Sequence, residues 1–207
     1  MKIRNKIIAL MISLIAIPTF ALAKDAPYVG IKGSKIHIDF KTVEGIDLNN
    51  VYADEYNALD IHAGYNFGNS FIELGYIKSN KESKNLGTYT AAGITLTGST
   101  SVEFDGWRIG VGHNFKYDDK LSFRPFLNYY ELDINSNIAA TLTVAGSGTF
   151  RASANTGGTD NMMDAGLGID YKLSDNSKII VGYSKSFDDL KNTESTQIYS
   201  VSFTHSF

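Results

Sequence analysis

At 207 residues, with 19 Lys and Arg against 22 Asp and Glu, the chain carries a formal charge of −3 and contains no cysteine. The acidic balance argues against nucleic-acid binding. The missing thiols exclude a disulfide framework and a lipoprotein anchor, so stability has to come from backbone pairing and burial.

The chain opens with Lys2, Arg4 and Lys6, an apolar run from Ile7 to Ile17, and then Ala21-Leu22-Ala23. Charge, apolar core and a small-residue site in that order predict a cleaved signal peptide over 1–23, with Lys24 as the first residue of a single domain over 24–207. Beyond it, no apolar stretch reaches the eighteen or more residues that a transmembrane helix needs. A membrane-spanning barrel escapes that test, because its lipid-facing and lumen-facing residues alternate and its signal lies in period two.

Eight segments carry that period. In chain order, Val29 and Ile31 oppose Gly30 and Lys32. Leu59, Ile61, Ala63, Tyr65 and Phe67 oppose Asp60, His62, Gly64 and Asn66, and Ile72, Leu74 and Tyr76 oppose Glu73 and Gly75. Trp107, Ile109, Val111 and Phe115 oppose Arg108, Gly110, Gly112 and Asn114. Leu121, Phe123, Leu127 and Tyr129 oppose Ser122, Arg124 and Asn128. Met163, Ala165, Leu167, Ile169 and Tyr171 oppose Asp164, Gly166, Gly168 and Asp170. Ile179, Val181, Tyr183 and Phe187 oppose Lys178, Gly182, Ser184 and Ser186, and the last segment sets Tyr199, Val201, Phe203, His205 and Phe207 against serines and Thr204. Each is a two-faced strand.

Turn formers at 68–70, 117–120 and 174–177 alternate with longer segments at 39–54, 81–100 and 134–158 and a short one at 188–193. Tight turns on one side and long loops on the other are the asymmetry of outer-membrane barrels. The expectation is an all-β, eight-stranded antiparallel up-and-down transmembrane β-barrel with both termini and the short turns in the periplasm. Pro125, inside the fifth strand, lacks a ladder donor and is expected to mark a bulge near the periplasmic rim. Tyr28, Phe67, Phe71, Phe115, Phe123, Tyr171 and Phe207 near the turn ends, and Tyr56, Tyr76, Trp107, Tyr129 and Phe187 towards the loop ends, are expected to form two aromatic girdles.

The chain resembles the small outer-membrane barrels of the OmpA-transmembrane, OmpX and opacity-protein type. The residues that carry the resemblance are Tyr28-Val29-Gly30-Ile31-Lys32-Gly33, Arg124-Pro125-Phe126-Leu127, Asp164-Ala165-Gly166-Leu167-Gly168-Ile169-Asp170-Tyr171 and the terminal Ser202-Phe203-Thr204-His205-Ser206-Phe207. The resemblance implies structural, adhesive or host-interacting roles more often than catalysis. It implies outer-membrane lipid as surroundings and recognition of Phe207 by the barrel-assembly machinery.

Inward positions offer Lys32, Arg108, Arg124 and Lys178 against Asp60, Glu73, Asp164 and Asp170. An eight-stranded barrel is just wide enough for its own side chains, so these charges are expected to pair as a polar plug. A narrow gated ion path is the alternative. Inward glycines 64, 75, 110, 112, 166, 168 and 182 leave room for long side chains or water. In the loops, 91–100 and 138–148 share an alternating Thr and aliphatic texture with Gly and Ser, which predicts two hairpins extending the strands outward. They either capture an extended segment of a host or surface protein, through 81–100 and 134–158, or pack on each other.

Catalysis would need a nucleophile and a base in reach. His37 beside Asp39 is the one suggestive pair, His62 belongs to the plug, and His113 and His205 face lipid near the rim. Adjacent His205 and Ser206 point to opposite faces. No Walker, Rossmann or metal-ligand spacing is present. The reading is a non-enzymatic barrel without cofactor or metal, serving adhesion, partner binding or envelope integrity, with a narrow channel and then a lipid-modifying enzyme as alternatives.

Overall fold

The computed structural model describes residues 26–207, so the signal peptide and its cleavage residues Ala21, Ala23 and Lys24 lie outside the described residues. Eight strands close into a ring: β1 (Ala26–Phe40), β4 (Glu55–Phe67), β5 (Ser70–Ser79), β7 (Ile94–His113), β9 (Leu121–Val144), β10 (Gly148–Lys172), β11 (Ser177–Asp188) and β12 (Thr193–Ser206). Every neighbouring pair is antiparallel, and β1 pairs with β12 to complete the circle. Outside the ring, β2 (Thr42–Val43) and β3 (Ile46–Asp47) form a small hairpin in the first loop, β6 (Glu82–Ala91) pairs with the outer part of β7, and β8 (Phe115–Lys116) continues β7 along β9.

Along the barrel wall, closure gives every ring strand a neighbour on both sides, which is what a chain exposed to hydrocarbon requires. The period-two parity then has a physical meaning. Val29, Ile31, Leu59, Ile61, Leu74, Trp107, Leu167, Val201 and Phe203 point outward and are exposed, while Asp60, Arg108, Arg124 and Asp164 point inward and are buried. An exposed apolar belt around a charged interior is the inverse of a water-soluble barrel. Val111 keeps the outward parity but is buried; Met163, also buried, sits at a register irregularity in β10.

The start of β1 and the last residues of β12 lie at the same end of the barrel as the short turns. Ser206 donates to Asn176 O, and Phe207 N donates to Pro27 O. In the turn after β8, Asp118 accepts the N–H groups of Lys120 and Leu121, each at 2.7 Å, and these donors hold its carboxyl below the usual carboxylate range.

Two expectations need correction and a third needs widening. Pro125 marks no bulge: the register of β9 is the same against Gly112 and against Phe115, and the ladder is simply interrupted at His113 and Asn114, opposite the imide. Tyr28, Phe71 and Tyr56 belong to no girdle, since each is 1% exposed and lies inside the barrel. The inward glycines leave room for rings as well as for the long side chains expected, such as Arg108 beside Gly110. A Cβ would stand 2.4 Å from Tyr28 at Gly64, from Phe71 at Gly112 and from Phe126 at Gly166.

At Gly166 a methyl would also meet Tyr183 O at 2.5 Å, and backbone cannot step aside. Gly166→Ala is therefore expected to destabilise the barrel by about 1–3 kcal/mol, the usual effect of overpacking. Urea titration of lipid-refolded protein, read as the fraction migrating in the unboiled position on a denaturing gel, measures it.

Candidate functional site

The interior is built in two tiers. Near the turns, seven of the eight predicted charges form one chain of alternating sign. Lys32 Nζ lies 3.4 Å from Asp60, whose carboxylate takes Arg108 Nε at 2.7 Å. Arg108 Nη1 donates to Glu73 at 3.0 Å, and Glu73 also accepts from Arg124. Arg124 Nη1 is 3.5 Å from Asp170, which receives Lys178 Nζ at 2.6 Å. Cations alternate with carboxylates, so no like charges are adjacent along the chain of ion pairs. That alternation makes burial tolerable where an isolated charge would not be.

Asp164 stands apart and has no cationic partner among these contacts. Asn128 Nδ2 at 2.8 Å, Ser184 Oγ at 2.7 Å and Tyr130 OH at 3.1 Å donate to it instead. Asn128 also accepts from Arg108, which ties Asp164 to the chain through one amide. Tyr28 OH donates to Glu73 at 2.8 Å, His62 Nδ1 lies 2.8 Å from Asp60, and the Arg124 guanidinium lies 3.4 Å from the Phe71 ring centroid. Tyr28 and Phe71 are thus members of the site that the girdle assignment missed. Strand parity identifies both, because each precedes an outward residue, Val29 and Ile72.

Towards the loops the same inward parity turns apolar. Ile36, Ile38, Tyr56, Ile77, Phe104, Tyr130, Leu132, Met162 and Ile198 form one cluster, and Leu190 from the last loop joins it. The first loop folds down over it, with the Phe40 and Tyr52 rings 5.5 Å apart and Tyr56 and Phe104 likewise 5.5 Å apart. Asn49 pins that loop by bonding both N and O of Phe40, at 2.9 and 3.0 Å. This apolar seal was not foreseen. The cavity within the charged tier measures about 40 Å³ and the one in the seal about 10 Å³, room for little more than a water molecule. Below them a mouth of about 460 Å³ opens among the turns, reaching up to Asp170 and Lys178.

Beyond the seal the ring continues as a protruding sheet. The hairpin β6-β7 turns at Ala92-Gly93, both with positive φ, and Gly98 and Ser99 lie within β7 rather than at the tip. The hairpin β9-β10 turns at 145–147. The two hairpins pair with each other along β7 and β9, from Ile94 opposite Val144 down to the barrel wall, giving four strands in the order β6-β7-β9-β10. Tyr89, Leu96, Leu142 and Phe150 fall in one row across them. Leu96 shares the parity of inward Thr100 and Phe104, so this row continues the lumen-side face. Thr90, Thr95, Thr143 and Thr149 fill the next row, on the opposite face. Tyr89 at 70% and Phe150 at 60% are exposed.

The histidines separate by environment. His37 Nε2 lies 3.3 Å from Asp39 at the loop end of β1. His113 Nδ1 contacts Ser70 Oγ at 2.9 Å and His205 Nδ1 contacts Ser177 Oγ at 2.9 Å, two cross-strand Ser–His pairs at the turn rim that sequence order conceals. Each ring also packs on a phenylalanine two residues on, Phe115 and Phe207. Among the described residues no carboxylate orients either imidazole, and Ser70 is buried. Phe207 itself is 70% exposed at the outer surface.

Arg108 serves two carboxylates, so its loss leaves both underpaired. Arg108→Ala is expected to cost about 3–5 kcal/mol, the range for stripping one partner from a buried pair. Combining Arg108→Met with Glu73→Gln, which leaves Lys32 paired with Asp60 and Arg124 with Asp170, is expected to recover part of that loss. Both are read from the same urea-dependent gel transition in lipid.

No protein-family model matches the chain, and a sequence search of curated proteins finds no relative. Among solved structures, the Neisserial surface protein A is similar with a TM-score of 0.53 at 14% identity, over 89% of this chain and all of that one. A de novo designed transmembrane β-barrel aligns at a TM-score of 0.46 and 14% identity, over 91% of this chain and all of that one. The attachment invasion locus protein Ail of Yersinia pestis aligns at 0.44 and 10%, over 89% and 100%. The weight rests on the first, which has the same eight-stranded ring. With the exposed apolar belt, the closed antiparallel ring and this likeness together, the chain has the fold of the small outer-membrane β-barrels.

Proposed function

We propose that the chain is an outer-membrane protein whose work is contact at the cell surface, with the barrel as an anchor and the four-stranded sheet as the binding element. In this reading the leader over 1–23 directs export, Phe207 serves the assembly machinery, and the turns and both termini face the periplasm. The observation that carries it is the protruding sheet. It lifts an exposed apolar row clear of the barrel, and a monomeric protein has no reason to maintain such a patch unless something covers it.

The interior supports an anchor rather than a pore. A permeant ion would have to cross both the chain of ion pairs and the apolar seal, where the cavities measure about 40 and 10 Å³. The Ser–His pairs lack the carboxylate that orients a base and sit at the turn rim, which favours anchoring at the lipid interface over acyl transfer.

Two measurements test this reading. In planar bilayers the refolded protein is expected to give no unitary conductance steps. Bacteria displaying the full chain are expected to adhere to epithelial monolayers or serum-protein-coated wells, and shortening both hairpins to the level of Val102 and Ser136 is expected to abolish adherence while unboiled gel mobility is retained. Discrete conductance with unchanged adherence would replace the contact reading with a channel.

A further inference from the structure

One cross-strand arrangement occurs twice in the barrel wall. The chain enters β5 as Asn69-Ser70-Phe71-Ile72-Glu73-Leu74-Gly75-Tyr76 and β11 as Asn176-Ser177-Lys178-Ile179-Ile180-Val181-Gly182-Tyr183, so Asn-Ser-x-Ile-x-x-Gly-Tyr recurs. The strands opposite, β7 and β12, run out through His113-Asn114-Phe115 and His205-Ser206-Phe207. The register is the same in both: Ser70 faces His113 and Tyr76 faces Trp107, while Ser177 faces His205 and Tyr183 faces Tyr199. The closing backbone bond recurs too, from Asn114 N to Asn69 O at 2.7 Å and from Ser206 N to Asn176 O at 2.8 Å. In ring order β7 and β12 stand four strands apart, so the two copies lie on opposite walls at the turn end.

Each copy builds the same small site. The serine Oγ lies 2.9 Å from Nδ1 of the histidine across from it, and the imidazole packs on the phenylalanine two residues on, with ring centroids 4.7 and 5.4 Å apart. Ser70 is buried, and Nδ1 of His113 is the one acceptor its hydroxyl meets among the described residues. Donation to Nδ1 keeps the proton on Nε2, so Nε2 is a donor whether the ring is neutral or charged. Both histidines keep the outward phase of exposed neighbours, Ile109 on β7 and Phe203 on β12, and stand at the turn-side edge of the apolar belt. The lysines of this end, Lys116, Lys120, Lys172 and Lys178, line the mouth instead.

From this geometry we infer that each Ser–His–Phe cluster holds the phosphate of a membrane glycerophospholipid, Nε2–H donating to a phosphate oxygen while the acyl chains lie along the apolar wall. The position of the donors selects the occupant. An acceptor that meets them on the lipid-facing wall comes from the head-group layer, where phosphate accepts the stronger, charge-assisted bond. Resting on the reading that the turns face the periplasm, that layer is the phospholipid leaflet. Two such attachments on opposite walls fix how deep and how upright the barrel sits, as interfacial anchors do.

The test measures lipid retention by the full chain refolded in dodecyl maltoside, using native mass spectrometry with phosphatidylglycerol or with diacylglycerol of the same acyl chains. Adducts of one and two phosphatidylglycerol molecules are expected, and few of diacylglycerol, which keeps the esters and lacks the phosphate. His113→Phe and His205→Phe keep an aromatic ring against the neighbouring phenylalanine. Each is expected to weaken retention at its own site by about tenfold, the size of one charge-assisted bond, and so to leave a single adduct. The double variant is expected to retain neither lipid while its unboiled gel mobility stays that of the parent. Excess inorganic phosphate is expected to leave the adducts in place, because the acyl chains share in holding the lipid. The inference is overturned if diacylglycerol is retained as well as phosphatidylglycerol, if the double variant keeps both adducts, or if inorganic phosphate strips them. The diacylglycerol comparison uses the parent chain alone and so decides the matter even where a variant fails to fold. The surface hairpins play no part in this measurement, and its failure would leave the contact reading standing.

Discussion

Closure of the hydrogen-bonded ring is the constraint from which the rest follows. A strand in hydrocarbon has no water to satisfy its amides, so each of the eight must find a partner on both sides, and the ring that results is narrow. Narrowness turns the interior into a packing problem. Tyr28, Phe71 and Phe126 fit only because Gly64, Gly112 and Gly166 give up their side chains opposite them. The same confinement brings Arg108 within reach of Asp60, Glu73 and Asn128 at once. The ion pairs thus follow from closure: charges from β1, β4, β5, β7, β9, β10 and β11 meet because the wall curves back on itself.

The two tiers divide the work of the interior. Charged groups lie towards the open mouth among the turns, where Lys178 and Asp170 meet solvent; the apolar seal lies towards the loops. An uncompensated charge under the seal would have neither water nor a partner, whereas the Tyr130 hydroxyl reaches down from the seal to Asp164 in the charged tier. Sealing one end rather than both leaves the hydrated end free to relax around the ion pairs.

Much of this was legible in alternation alone. Parity located the ring strands, the tight turns and the inward charges, because each strand has one face in lipid and one in the lumen. It failed where position along the chain replaced parity as the guide. Tyr28, Phe71 and Tyr56 read as girdle aromatics because they lie near strand ends, although each sits on the inward phase of its strand. Asp164 looked like one half of an ion pair because counting charges cannot show that Asn128 and Tyr130 of β9 and Ser184 of β11 converge on it. The Ser–His pairs were hidden for the same reason: Ser70 and His113 are 43 residues apart and become neighbours only through the register of β5 on β7. Pro125 was visible as an anomaly, but whether a ladder bulges or merely breaks depends on both strands.

The loop-side boundary of the apolar belt is written on the long strands as an inversion of their polarity. On β7, Trp107 points outward and Arg108 inward; a dozen residues earlier, Thr97 lies on the outward face and Leu96 on the inward one. On β9 the same exchange separates Leu127 and Asn128 from Thr141 and Leu142. The parity never slips between these points, since the β7–β9 register is unbroken from Gly112 to Ile94. Only the solvent changes. Between the two regimes the outward face carries Glu103, Asp105, Glu131 and Asp133, which hydrocarbon would not tolerate. Level with Glu131, which stands opposite Trp107, the Tyr76 and Trp107 rings meet at 5.2 Å, in the place where an aromatic belt belongs. A strand that merely overshot the bilayer would lose its pattern and fray. Here the pattern is kept and reversed, so that apolar side chains gather on the inner face of the sheet exactly where lipid no longer covers the outer one, and the structure above the membrane is as deliberate a fold as the barrel below it.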